Sequence, residues 1–248
     1  MFWESVGAGV TANLLFVVLT LGIGLLVLFA RRRALFRFWG IKRVRKIRIY
    51  VSHLRIRPGG ALDPSGTPRS YTGSVVTQLE SDMANAIRSL FLATVPGPVL
   101  QPSWTKALLF VNADVEVLPA PLLSTDIEEE GSIIALGSPG YNVVSGHIET
   151  SCSGVVRFVQ GNAAIQLPGN LTIQNELQSV VVRLLSGGRY WFYAAGLSEA
   201  GTAAAAYYLA KHWRRLDRVY RRSPSFFVAI ECSGSDFRNS RVIAEAAI

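Results

Sequence analysis

The hydrophobic pattern of the chain opens with one long apolar segment. Residues Val6 to Ala30 include no charged side chain, and about 20 apolar residues in a helix cover the roughly 30 Å hydrocarbon core of a bilayer. We therefore predict a transmembrane helix within residues 1–30. A secretory signal peptide carries basic residues before its apolar run and small residues at a cleavage site after it. This chain has neither arrangement, which predicts an uncleaved anchor.

Beyond residue 45, short apolar stretches alternate with amphipathic ones. This alternation predicts strands over 46–56, 106–118, 132–136, 180–185, 190–195 and 226–230, with a hairpin over 155–167. Apolar residues at spacings of three and four predict helices over 75–92, 143–150 and 203–220. Strands that alternate with helices are typical of an α/β fold. We expect one domain, residues 46–248, with a Rossmann-like, mostly parallel sheet and helices on both faces.

Basic residues are concentrated directly behind the apolar run. Eleven bases and no acid lie between Arg31 and Arg57, and apart from Glu4 the rest of the chain carries 14 bases and 16 acids. Positive charge resists translocation across a membrane. We therefore expect a single-pass protein of the bacterial inner (plasma) membrane, with its N-terminus outside and its C-terminal domain in the cytoplasm.

Residues 31–45 form a basic juxtamembrane collar that also contains aromatic side chains. Bases near a membrane surface attract anionic lipid headgroups. We expect such headgroups as partners of Arg31, Arg32, Arg33, Lys42 and Arg43. Nucleic acid is a weaker candidate, because the base excess is juxtamembrane and the rest of the chain is nearly neutral. The collar either lies along the membrane surface or extends the spanning helix, and the sequence leaves both alternatives open.

Cysteine and histidine usage gives no indication of a metal site or a cofactor. Cys152 and Cys232 are the only cysteines, and no C-x-x-C or His/Cys spacing is present. Neither a disulfide framework nor a metal centre is therefore predicted. His53, His147 and His212 fall on different predicted elements, and we expect each of them to be structural.

Two small-residue turns form the candidate ligand site, and each comes after an apolar strand and before a helix. They are Gly137–Asn142 and Gly196–Thr202. In a parallel sheet such turns lie at the carboxyl ends of strands, where ligands bind, and the N–H groups of the following helix favour anions. The candidate ligand-binding residues are Gly137, Ser138, Asn142, Ser198, Gly201 and Thr202.

Other interpretations of these turns stay open. Glycine at a strand-to-helix turn also satisfies backbone geometry alone. No G-x-G-x-x-G or G-x-x-x-x-G-K-[ST] motif occurs, which argues against a Walker-type nucleotide hydrolase. Glu199 is the one carboxylate within a candidate turn and is the alternative catalytic residue, as a general acid or base. Its carboxylate would equally well stabilise the following helix through a favourable interaction with the helix dipole.

The apolar anchor, the basic collar and an α/β domain with Gly137-Ser138-Pro139 and Gly201-Thr202 turns together resemble membrane-linked effectors of prokaryotic nucleotide-signalled defence. These effectors place a Rossmann-like sensor, or a related TIR or deoxyribosyltransferase-like domain, beside a transmembrane helix. In the deoxyribosyltransferase-like group, a Gly-Thr turn leads into a helix whose early turn carries a catalytic Glu. Here alanines follow Thr202 and Glu199 precedes it, a departure that favours sensing over glycosidic cleavage.

The preferred hypothesis is a cytosolic domain that senses a nucleotide-like phosphorylated ligand and couples it to oligomerisation of the membrane helix. The apolar segment contains four glycines that would permit close contact between helices, Gly7, Gly9, Gly22 and Gly24. Under this hypothesis the protein is an antiviral effector that disrupts the membrane. One alternative is a membrane-anchored nucleotide-processing enzyme that cleaves a glycosidic or phosphoester bond with Glu199. Another is a non-enzymatic scaffold that recruits a protein.

Overall fold

A computed structural model describes residues 2–41, 46–52, 77–92, 113–127, 130–151, 156–159, 164–233 and 236–248, with the backbone alone for residues 2–12 and 92. Some of the sequence predictions concern residues outside these ranges. Lys42, Arg43, His53, Cys152 and the first part of the predicted strand 106–118 lie outside the described residues.

The described part of the chain contains four α-helices and ten strands. The helices are α1 (Phe2–Trp39), α2 (Gln78–Leu92), α3 (Val143–Ser151) and α4 (Glu199–Val219). The strands are β1 (Lys46–Val51), β2 (Asp114–Pro119), β3 (Ser132–Leu136), β4 (Arg157–Val159), β5 (Ala164–Leu167), β6 (Leu171–Ile173), β7 (Gln178–Ser186), β8 (Arg189–Gly196), β9 (Phe226–Ser233) and β10 (Asp236–Ala247). The predicted helices and strands are present with shifted ends, and the structure adds β6 and β10.

Seven strands form the central sheet, in the order β10-β9-β7-β8-β3-β1-β2. β2, β1, β3 and β8 are parallel neighbours, whereas β7 is antiparallel to β8 and β9, and β10 is antiparallel to β9. Five of these strands therefore run in one direction, which confirms the α/β class and a mostly parallel sheet. β7 is reversed because a two-residue turn joins it to β8. Gly187 and Gly188 in that turn have φ values of 56° and 78°, as tight hairpins require.

Each face of the central sheet is covered by its own layer. α2, α4 and the end of α1 cover one face, where Ile87, Leu209 and Phe38 are buried. α3 and a small antiparallel sheet of β4, β5 and β6 cover the other face, where Ile148 and Ile165 are buried. Helices thus lie on both faces, and strands share the second face with α3.

α1 is one continuous helix that ends inside the α/β domain. Among the described residues it alone is long and apolar enough to cross a membrane, over Asn13–Trp39, where an 18-residue window reaches a mean hydropathy of 2.6. Side chains 13–30 are exposed, whereas Phe38 and Trp39 are fully buried. Of the two alternatives for the collar, the structure therefore has the helix continuing as far as Trp39, with its last turn in the core.

Aromatic contacts hold the end of α1 in the domain. The Phe38 ring lies 5.5 Å from that of Phe192 in β8, and the Trp39 ring lies 5.6 Å from that of Phe91 in α2. Ser132, the first residue of β3, donates its hydroxyl to the Trp39 carbonyl at 2.6 Å. α1 therefore meets the amino ends of the parallel strands, and their carboxyl ends point away from it.

Arg183 in β7 closes the carboxyl end of α4. Its guanidinium donates hydrogen bonds to the backbone carbonyls of Tyr220 at 3.1 Å, Ser223 at 2.7 Å and Pro224 at 3.0 Å. It also lies 4.7 Å from the ring centroid of Phe226. Carbonyls that have no partner within a helix thus find one charged donor in the core, which fixes the last turn of α4 on the sheet.

Candidate functional site

A cleft of about 330 Å³ opens at the carboxyl ends of β1, β3 and β8, beside the first turns of α2 and α4. Three adjacent parallel strands end there, and ligands of α/β sheets bind at such an edge. The volume suits a small molecule. The cleft is lined by six hydroxyl side chains, two carboxylates and two further residues: Ser52, Thr77, Ser138, Tyr141, Ser198 and Thr202; Glu80 and Glu199; Gly196 and Leu197.

The first turn of α4 is capped by Ser198 and packs closely on β8. Ser198 Oγ accepts a hydrogen bond from Gly201 N at 3.0 Å and donates one to Glu176 O at 2.6 Å. Thr202 Oγ1 accepts from Gly196 N at 3.1 Å. A Cβ atom on Gly201 would lie 3.0 Å from Glu176 O, so a larger residue would push the helix and the loop apart. Gly201 therefore shapes the wall of the cleft from behind.

Asn142 organises the turn between β3 and α3. Its side-chain nitrogen donates to the carbonyls of Tyr50 at 3.1 Å and Leu136 at 2.7 Å, and its Oδ1 accepts from Val144 N at 3.0 Å. The side chain is fully buried. Its hydrogen bonds therefore join the ends of β1 and β3 to the first turn of α3, and of the predicted residues in this turn Ser138 is the one that lines the cleft.

Glu80, in the first turn of α2, is the buried carboxylate of the cleft. Its Oε2 accepts from Ser52 N at 2.8 Å and its Oε1 accepts from Ser52 Oγ at 3.0 Å. Burial raises the pKa of Glu80, the two hydrogen bonds from Ser52 oppose that shift, and the charge of Glu199 adds to it. Gly137 makes this packing possible, because its φ is +104° and a Cβ there would overlap Ser52 Oγ.

The described lining of the cleft offers hydroxyls and carboxylates but no basic side chain. Positive potential comes from the N-terminal N–H groups of α4. Carboxylates accept hydrogen bonds from the hydroxyls of a ribose-like diol, and helix N-termini bind anions. Among the described residues, no three His, Cys, Asp or Glu side chains group as metal ligands would. The arrangement is therefore suited to a hydroxyl-rich ligand that carries an anionic group.

The structure brings the two predicted turns together in one cleft. Ser138, Ser198 and Thr202 line it, and so does Glu199. The other three predicted residues, Gly137, Asn142 and Gly201, lie behind the lining and fix its shape.

The two described histidines lie elsewhere. His147 in α3 packs on Trp191, with ring centroids 5.3 Å apart, and His212 in α4 packs on Tyr208 at 4.5 Å. Neither lines the cleft, so the cleft draws no histidine from the described part of the chain.

Three lining residues, Ser52, Thr77 and Glu80, were not predicted from the sequence. Tyr141 also lines the cleft; it lies inside the predicted turn Gly137–Asn142 but was not among the predicted ligand-binding residues. Thr77 and Glu80 form a T-x-x-E pattern, which marks helix N-termini, and Thr77 Oγ1 accepts from Glu80 N at 3.2 Å. Ser52 is the polar residue directly after the buried strand β1. These two signals, taken together with the glycine turns, point to the same edge of the sheet.

No family model, curated protein or solved structure matches the chain. The chemistry of the cleft and the contacts between α4 and α1 are therefore the basis on which a function can be inferred.

Proposed function

We propose that this chain is a single-pass membrane protein whose Rossmann-like domain binds a nucleotide-like ligand in the cleft and transmits binding to α1. The observation that carries the proposal is the path of α4, which begins in the cleft and ends against α1. Trp213 near the end of α4 lies 6.1 Å from Phe38 of α1, and Asp217 pairs with Arg37. A helix of 21 residues spans about 30 Å, so one rigid element links the two regions.

The lining of the cleft supports a nucleotide-like ligand. Glu80 and Glu199 offer carboxylate oxygens for ribose hydroxyls. The N-terminus of α4 offers backbone N–H groups for a phosphate. Tyr141, 58% exposed at the rim, offers an aromatic face on which a base can stack.

The charge pattern supports a cytoplasmic domain on the bacterial inner membrane. Arg31, Arg32 and Arg33 follow the apolar part of α1 without an intervening acid, and such bases stay on the cytoplasmic side. Protease added outside intact cells should leave the α/β domain uncut. Digestion of the domain there would overturn this orientation.

Small residues on α1 support association of the helix with copies of itself. Gly22 and Gly24 have open space where a Cβ would lie, and Thr20 and Gly24 form a small-xxx-small pair that permits close helix packing. We propose that ligand binding promotes this association and that the assembled helices disrupt the membrane, as an antiviral effector would. Ligand-dependent crosslinking that Gly24→Leu abolishes would support this step, and crosslinking that is indifferent to ligand would contradict it.

A thermal-shift experiment on the full-length protein in detergent micelles tests ligand binding. A ligand that binds only the native state at about 100 times its Kd adds about 2.7 kcal/mol, which corresponds to a rise in Tm of about 5–10 °C. The probes are AMP, ATP, NAD and cyclic dinucleotides. Tyr141→Ala should reduce the rise, whereas Leu122→Ala, a change at a residue that is 53% exposed outside the cleft, should not. No rise with any probe, or a rise that Tyr141→Ala leaves intact, would contradict binding in the cleft.

A nucleotide-processing enzyme is the second candidate, and the raised pKa of Glu80 beside Glu199 favours it. A carboxyl group with a raised pKa beside a second carboxyl group is an arrangement found in general acid–base pairs. Glu199→Gln separates the candidates when turnover and binding are measured on the same sample. Loss of turnover with retained binding would identify an enzyme, and no turnover by the wild type would leave a sensor.

A further inference from the structure

A second concave surface, the basic groove, lies between α1 and the end of α4. It encloses about 440 Å³ and is remote from the cleft, at the opposite end of α4. Val27, Arg31 and Ala34 form its α1 wall, and their spacing of four and three residues puts them on one helix face. The other wall comes from α4 and the turn after it, through Trp213, Arg214, Asp217, Arg218 and Arg221.

The groove carries a strong excess of positive charge. Four arginines line it against one acid, Asp217, and that acid is already bound to Arg37. Arg214 lies 5.4 Å from the ring centroid of Trp213. Within the described residues, the structure assigns no carboxylate to Arg31, Arg214, Arg218 or Arg221. Their guanidinium groups are therefore available to an anion from outside the chain.

The position of the groove along α1 indicates where that anion comes from. Val27 belongs to the apolar run and is 62% exposed, and Arg31 is the first base after it. With α1 across a bilayer as proposed above, one end of the groove would lie at the level of acyl chains, and the rest would lie at the level of lipid phosphates. A free anion would meet the arginines from the cytoplasm, but a phospholipid would also cover the apolar end.

We propose that the basic groove binds one anionic phospholipid, with its phosphate held by the arginines and an acyl chain along Val27. Guanidinium groups bind phosphate through paired hydrogen bonds. The lipid would then touch both α1 and α4, at the place where the two helices are joined by Arg37 and Asp217. This inference rests on the proposed membrane anchoring and is independent of any ligand in the cleft.

Lipid retention by the full-length protein in neutral detergent micelles tests the proposal. Phosphatidylglycerol and phosphatidylcholine are titrated separately, and bound lipid is counted by native mass spectrometry. The groove variant is Arg214→Gln/Arg218→Gln. The control, Arg157→Gln/Arg238→Gln, removes the same charge from exposed residues outside the groove. A third arm adds inorganic phosphate or glycerophosphoglycerol as a soluble competitor.

The wild type should bind phosphatidylglycerol in preference to phosphatidylcholine, and the groove variant should bind it about 25-fold more weakly, because each base near a lipid phosphate contributes about fivefold. The control should bind as the wild type does. Equal binding by the groove variant, or no preference between the lipids, would overturn the proposal. Full displacement by a soluble competitor would identify a free-anion site and would overturn the lipid assignment. A wild type that stays in solution without detergent would overturn the membrane anchoring and this inference with it, while a nucleotide-induced rise in Tm would still stand.

Discussion

Arg37 of α1 and Asp217 of α4 form a two-point salt bridge across 180 positions of sequence. Arg37 Nε donates to Asp217 Oδ1 at 3.0 Å, and Arg37 Nη2 donates to Oδ2. The Asp217 side chain is 6% exposed and that of Arg37 is 40% exposed. The pair joins the apolar helix directly to the helix that starts at the cleft, and the proposed transmission from α4 to α1 would pass through this contact.

A double-mutant cycle measures this link. Arg37→Gln should lower the free energy of unfolding by about 2–3 kcal/mol, because it leaves the buried Asp217 carboxylate without its partner. The pair Arg37→Gln/Asp217→Asn should show a coupling energy of about 1–2 kcal/mol. Urea unfolding of the full-length protein in micelles gives each value. A coupling energy near zero would mean that the bridge does not join the helices energetically.

Gly137→Ala should damage the cleft. Gly137 has a φ of +104°, and a Cβ there would overlap Ser52 Oγ, so we expect a loss of about 2–4 kcal/mol in unfolding free energy and weaker ligand binding. Gly146→Ala in α3 is the matched control, because its Cβ would make an ordinary contact of 3.7 Å with Pro139. In a helix this change should be neutral or stabilise by up to about 1 kcal/mol. Equal unfolding curves for the two variants would contradict the packing around Gly137.

Glu80→Gln should change how stability depends on pH. Burial raises the pKa of Glu80, so the native state holds this proton more tightly than the unfolded state does. The stabilisation that comes from this tighter proton binding is therefore complete below the ordinary glutamate pKa. It is lost as the pH rises through the raised pKa of Glu80 in the native state. The free energy of unfolding of Glu80→Gln, relative to that of the wild type, should rise with pH between the ordinary glutamate pKa and the raised pKa of Glu80. Above the raised pKa the difference should be constant. Unfolding curves at a series of pH values test this, and a difference that falls with pH would contradict it.

Arg183→Lys should destabilise the protein although it keeps the charge. Arg183 donates to three backbone carbonyls after α4 and lies 4.8 Å from the ring centroid of Tyr190. The lysine ammonium cannot present several donors in the fixed plane of a guanidinium and so cannot reach all three carbonyls. We therefore expect a loss of about 2–4 kcal/mol in the free energy of unfolding. Arg88→Lys, at an exposed position of α2, should change stability by less than about 0.5 kcal/mol. Similar urea midpoints for the two variants would show that the guanidinium hydrogen bonds of Arg183 are not needed for stability.

Local sequence pattern predicted the strands next to the cleft but not the residues that meet across it. The run Ser132–Leu136 and the small residues after it are adjacent in sequence, so the strand and its turn could be predicted together. Ser52 and Glu80 are 28 positions apart, and nothing local indicates that they meet. Their contact depends on how α2 packs on the sheet, which is a long-range property.

The aromatic residues of the collar show a second limit. Phe38 and Trp39 lie among bases behind an apolar run, a composition that favours the membrane interface. The structure buries both rings instead, against Phe192. Interface and core both select aromatic side chains, so composition alone could not separate the two environments. β10 was missed for a related reason, since its residues are mostly exposed or half-buried and give only a weak apolar signal.

α1 passes without a break from exposed apolar helix to buried core. If it spans a bilayer as proposed, the tilt of the domain would depend on the thickness of that bilayer. A helix longer than the hydrocarbon layer tilts to accommodate the mismatch. The helix has no break between Ala30 and Trp39. A tilt of its apolar part would therefore tilt the whole domain by the same angle. Thinner and thicker bilayers would thus hold the cleft at different angles to the membrane plane.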